Sequence, residues 1–69
     1  MKTKARLLEE LEEKLKYHDW YYADSKDVRV YDNGLAERRV IVAYVKACGE
    51  KGVQLYNNYS PYGFENVTK

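Results

Sequence analysis

Apolar residues in the first third of the chain recur at helical spacing. Ala5, Leu8, Leu11, Leu15, His18 and Tyr22 follow one another at three and four positions, with Glu9, Glu10, Glu12, Glu13, Lys14 and Lys16 covering the remaining sides. That pattern places one stripe toward a core and the rest toward water, and it predicts a helix from residue 3 to about residue 22. Pairs four apart, Glu10 with Lys14 and Glu12 with Lys16, add roughly 0.2–0.5 kcal/mol each. The stripe is narrow and leucine-rich, so the helix needs a helical partner. Lys2, Lys4 and Arg6 oppose the helix dipole at its start, which predicts a loose first turn.

Asp24-Ser25-Lys26-Asp27 has no apolar member and ends the helix, and Val28-Arg29-Val30-Tyr31 then alternates as an extended piece does. Asp32-Asn33-Gly34 has two readings. As a hairpin turn it would set Val30 against Glu37 and Arg29 against Arg38, which pairs like charges and opposes an apolar face to a polar one. The second reading has Asp32 or Asn33 capping a new helix whose first turn carries Glu37, a favourable charge there. Helical spacing supports the cap: Ile41, Val45, Cys48, Gly52, Leu55 and Tyr59 form a second stripe, widened by Val40 and Tyr44. Gly49 and Gly52 weaken a continuous helix by about 1 kcal/mol each, so Gly49-Glu50-Lys51-Gly52 is either a bend or a true break followed by a short helix. Pro61 ends whatever helix runs through Tyr59.

These elements predict an all-α protein. Its expected form is an antiparallel helical hairpin over residues 1–60 with a structured connector at residues 24–33, followed by a tail at residues 61–69 that is ordered if its aromatics dock. Two helices alone bury too little surface, so either a short third helix folds back or two chains form a four-helix arrangement; the homodimer is favoured of the two.

Composition narrows the function. At 69 residues there is room for one domain and none for a large enclosed active site. The single cysteine, Cys48, and the single histidine, His18, exclude disulfide or zinc staples. Twelve basic and eleven acidic residues leave a net charge of +1, so the total does not demand nucleic acid or an anionic membrane. The positive excess lies in residues 25–48, which sum to +2. No apolar run approaches the roughly 20 residues that span a bilayer, and no basic-then-apolar signal segment opens the chain. The expectation is a cytoplasmic protein with no membrane partner, in which the glycosylation matches at Asn58-Tyr59-Ser60 and Asn66-Val67-Thr68 are empty.

Candidate chemistry centres on Tyr17-His18-Asp19-Trp20-Tyr21-Tyr22. His18 beside a carboxylate has the makings of a general base, but on the leucine stripe the simpler role is a packed, hydrogen-bonded histidine. Cys48 on the second stripe is an inert buried thiol, and nothing supplies an orienting third group for a Cys48–His18 pair. Trp20 and Tyr22 are expected to cap the core and Tyr21 to be exposed. Tyr21, Arg29, Tyr31, Arg38 and Arg39 are the candidate partner-binding residues, because aromatics and guanidiniums are enriched at interface hot spots. The same mixture stacks on bases and holds phosphates. Tyr56, Tyr59, Tyr62 and Phe64 are expected to cover the open end of the helix pair.

The string His18-Asp19-Trp20-Tyr21-Tyr22, the Ser25-Lys26-Asp27 turn, Arg29-Val30-Tyr31 with Gly34, and Leu55-Tyr56-Asn57-Asn58-Tyr59 resemble small bacteriophage proteins with a charged leucine helix and an HDWYY-like segment. The resemblance covers most of the chain and brings no activity with it. It implies an accessory role such as binding and inhibiting a host protein. Tyr17-His18, Tyr21-Tyr22, Asp24 and Tyr31-Asp32 with Leu35 also look like the helical N-terminal segment of bacterial NAD-dependent DNA ligases. There the spacing is longer and an Asp precedes the Tyr-Asp pair, so the likeness implies a helix-loop-helix shape and no nucleotide binding. The resulting expectation is a non-enzymatic, cofactor-free protein that contacts a host protein, with nucleic acid as the second choice of partner.

Overall fold

A computed structural model describes residues 2–67. Among them every regular element is helical: α1 (Lys4–Tyr17), a single 3-10 turn (Tyr22–Asp24), α2 (Val28–Cys48), α3 (Glu50–Tyr59) and the one-turn α4 (Phe64–Val67).

α1 begins where Thr3 Oγ1 accepts the Arg6 N–H at 3.2 Å, a side-chain cap that satisfies one of the free donors of the first turn. The basic start is compensated sideways: Lys2 reaches Glu10 at 2.8 Å and Arg6 lies 3.9 Å from Glu9. The helix stops at Tyr17, about one turn short of the extent predicted from periodicity. His18 leaves helical geometry at φ −72°, ψ 138°, and this swing carries its ring onto α2. The Asp19 carboxylate then takes the Tyr21 N–H at 2.9 Å, a local turn that competes with helix.

Val28–Tyr31 is helical, not extended, and the connector spans residues 18–27 instead of 24–33. Asp27, not Asp32 or Asn33, caps α2: its Oδ1 accepts the Arg29 N–H at 2.9 Å, while Ser25 Oγ accepts the Asp27 N–H at 3.1 Å. A four-residue alternation cannot outweigh such a cap when no neighbouring strand is present to pair with.

Between α2 and α3 the chain breaks at Gly49, with φ 72° and ψ −141°. Only glycine adopts that conformation without strain. The Gly49 N–H closes α2 on the Val45 carbonyl at 2.9 Å, and the Gly49 carbonyl opens α3 by accepting from Val53 at 3.1 Å. Gly52 then lies so close to the last turn of α2 that a Cβ there would stand 2.9 Å from the Val45 carbonyl oxygen. α3 packs on both α2 and α1. It ends at Tyr59 with Ser60 extended before Pro61.

The core is Leu11 and Leu15 of α1, Ile41, Val45 and Cys48 of α2, and Tyr56 of α3. Tyr56, not Leu55, is the fully buried side chain of α3; Gly52 keeps its place on the stripe, and Leu55 packs against the same core while partly exposed. Phe64 docks edge-on against Tyr56, ring centroids 5.2 Å apart, and its N–H is held by Asn57 Oδ1 at 3.0 Å. That contact lays residues 62–67 across α3 and beside α2.

Candidate functional site

Three segments meet over the middle of α2. His18, from the end of α1, is buried with its side chain 0% exposed. Arg38 Nε donates to His18 Nε2 at 3.0 Å. That bond makes Nε2 the acceptor, so the hydrogen resides on Nδ1, which donates to Glu37 Oε1 at 3.0 Å. A neutral imidazole thus bridges a carboxylate and a guanidinium on adjacent residues of α2. Both ring nitrogens are used, and neither is free to exchange a proton with a substrate.

Two rings approach Arg38: its guanidinium carbon lies 5.0 Å from the centre of Trp20 and 4.8 Å from that of Tyr22. Such contacts contribute about 0.5–2 kcal/mol each, more as they are desolvated. Tyr22 is seated on α2 at Gly34, where a Cβ would fall 2.2 Å from the Tyr22 ring carbon Cγ. No side chain other than hydrogen fits there. Gly34 therefore serves as the seat for Tyr22, and the Asp32-Asn33-Gly34 triplet is neither a turn nor a cap.

Beside this network opens a cleft of about 550 Å³. Leu35, Val42, Val67 and Tyr22 supply its apolar lining, and Arg38, Arg39, Asn66 and Tyr62 its polar one. Among the described residues no carboxylate lies within ion-pair distance of Arg38 or Arg39. Elsewhere, burial pushes the Cys48 thiol above its usual range, and Tyr59, donating to Glu12 at 3.3 Å, is raised by burial and then by that carboxylate. Among the described residues no group of His, Cys, Asp and Glu converges to hold a metal ion, and no helix is long and apolar enough to cross a membrane.

The five candidates from the sequence do not form one patch. Arg38 and Arg39 line the cleft. Tyr31 is not part of the cleft lining; its ring lies tilted against Tyr22, centroids 5.8 Å apart. Tyr21 is 65% exposed, with its backbone in the Asp19 turn. Arg29 projects into solvent with its side chain 91% exposed. It precedes Arg38 by nine positions, and at about 100° per residue that puts the two on opposite sides of α2. Tyr22, Leu35, Val42, Tyr62, Asn66 and Val67 belong to the cleft without having been singled out as binding residues. Arg-Arg adjacency was a visible signal, whereas the Tyr62–Val67 wall depends on how Phe64 docks.

No protein-family model matches this chain, and no curated protein and no solved structure is significantly similar to it.

Proposed function

We propose that this chain is a non-catalytic accessory protein of phage type that binds, and by binding inhibits, a host protein through the cleft over α2. The observation carrying this reading is Arg38. Its guanidinium is clamped by Trp20 and Tyr22 and oriented by His18, and it has no acidic counterpart within the described residues although it lines an open cleft. A cation held in place without a carboxylate has lost its side-chain freedom before any partner arrives, which lowers the cost of association. The absence of catalysis is supported by His18, whose nitrogens are both engaged, and by the buried Cys48.

In this reading α1 and α2 form an antiparallel hairpin, and α3 with α4 completes the core from the same chain. That removes the need for a second copy, and light scattering is expected to return the monomer mass. Nucleic acid is the second reading, favoured by one feature: Tyr62, 52% exposed, lines the same cleft as Arg39 and offers a ring for base stacking.

A tagged-protein pull-down from bacterial lysate, with and without nuclease, separates these. Retention of one host protein after nuclease treatment, lost with Arg39→Glu, supports the protein-binding reading. Recovery that disappears with nuclease, and falls steeply between roughly 50 and 200 mM salt, replaces it with nucleic acid. A captured protein indifferent to Arg39→Glu removes the cleft from the interface.

A further inference from the structure

We infer that the cleft receives the side-chain carboxylate of an acidic residue flanked by apolar residues on the partner protein. This rests on the binding reading above and names the chemistry that is bound.

The donors left on Arg38 define the ligand. Its Nε is used by His18, and two rings, Trp20 and Tyr22, lie within about 5 Å of its guanidinium carbon. What remains is the planar pair of terminal nitrogens, on a residue that forms a wall of the cleft. Two parallel N–H groups match the two oxygens of a carboxylate. The neighbouring charges set how much negative charge is accepted. Glu37 is linked through His18 to Arg38, so those two opposite charges balance, and Arg39 adds one net positive charge. A monoanion neutralises that excess. A phosphate dianion would overcompensate beside the Glu37 carboxylate.

The lining selects the rest of the ligand. Leu35, Val42 and Val67 offer apolar surface on either side of the arginines, suited to aliphatic neighbours of the acidic residue. Capture of a chain-terminal carboxylate generally relies on a nest of backbone amides, and acidic side chains are the usual ligands of arginine clusters. Here the polar lining is the side chains of Arg38, Arg39, Asn66 and Tyr62.

The test uses the full chain with short peptides blocked at both ends. N-acetyl-Leu-Glu-Leu-amide is compared with its Leu-Gln-Leu twin, with the Leu-phosphoserine-Leu analogue, and with N-acetyl-Leu-Leu bearing a free terminal carboxylate. Binding is read from the fluorescence of Trp20, the only tryptophan, and from the Nε–H resonance of Arg38 in nitrogen-15 spectra. The Glu peptide is expected to bind about ten-fold tighter than the Gln peptide, the scale of one charge-assisted hydrogen bond, and to shift the Arg38 resonance. Arg39→Gln, an exposed position outside the His18 network, should keep the fold by circular dichroism and lower that ratio several-fold. Equal affinity of the Glu and Gln peptides overturns the proposal, as does no binding of either, tighter binding of the phosphoserine or free-acid peptide, or an unchanged ratio in Arg39→Gln. If the peptides fail while Arg39→Glu still abolishes capture of a host protein, the carboxylate inference falls and the binding reading stands. If the Glu peptide binds but no host protein is captured, the binding reading falls and the site stands.

Discussion

The chain changes direction twice between its long helices, and the two junctions work by different physics. Between α1 and α2, ten residues are held by one backbone-bonded turn and, beyond it, by side chains: Asp19, Ser25 and Asp27 take backbone N–H groups, His18 bridges Glu37 and Arg38, and Tyr22 is seated on Gly34. Between α2 and α3 one residue suffices, and it contributes only backbone: Gly49 at φ 72°, with nothing within 4 Å of where its Cβ would be. The long junction has many contacts to lose and exposes Arg38 to the cleft. The short one requires only the Gly49 backbone conformation and the close approach at Gly52, and presents no chemistry. The candidate site lies where side chains were used to make the turn.

Substitutions can separate these two modes. The largest loss is expected from Gly34→Ala: its methyl would stand 2.2 Å from Tyr22 Cγ, forcing Tyr22 from its seat at a cost of about 3–5 kcal/mol, as for emptying a buried aromatic site. In a domain this small that approaches the whole stability, so thermal denaturation should show a non-cooperative or absent transition. A variant that melts like the parent would mean Tyr22 does not need the groove. Next comes His18→Ala, which leaves a cavity and strips Arg38 Nε of its acceptor, at about 2–3 kcal/mol by urea denaturation. Glu37→Gln keeps an oxygen for Nδ1–H on a half-exposed side chain and should cost under about 1 kcal/mol; parity of these two variants would contradict the bridging role of the imidazole.

Gly49→Ala probes the other junction. With open space around the site, the cost is backbone strain alone, about 1–3 kcal/mol, and the Trp20 spectrum and any cleft binding should be unaffected. Tyr56 lies where the two regions meet, its ring 5.4 Å from Trp20 and 5.2 Å from Phe64, and among the described residues its buried hydroxyl has no hydrogen-bond partner. Tyr56→Phe removes that unsatisfied group and is expected to be neutral or to stabilise by up to about 1 kcal/mol; a clear loss would reveal a partner for the hydroxyl.

The smallest effect is alkaline. Burial raises the Cys48 thiol in the folded state, so folding favours its protonated form. The associated stability is complete below the thiol's ordinary value of 9.0 and is lost as pH rises from there toward the folded value. Cys48→Ser or Cys48→Ala should flatten this high-pH decline in denaturation midpoints. Thiol labelling of the parent should be slow until the chain unfolds.

Much of this was legible along the chain. The two apolar stripes, the break at residues 24–27, the stop before Pro61, a packed His18 and an exposed Tyr21 all follow from local rules of period, capping and polarity. Those rules act within a few residues. The end of α1 at Tyr17 does not: periodicity continues through Tyr22, but His18 gains more from residues 37 and 38 than from another turn of helix. Gly34 has the same origin. Beside Asn33 it looks like a turn, and only the approach of a ring from twelve residues earlier gives it a different purpose.

The candidate site shows the division most clearly. Adjacent arginines after Glu37 were visible as charge, and local sequence determined that they would fall on a helix. Tertiary structure alone decided their uses: Arg38 is covered by Trp20 and Tyr22 and oriented by His18, Arg39 stays open, and Arg29, of the same residue type, is turned to the far side of α2. The physical reason is that a helix's existence depends on neighbours three and four positions away, whereas the environment of its side chains depends on contacts 16 or more residues distant in sequence, which no local pattern encodes.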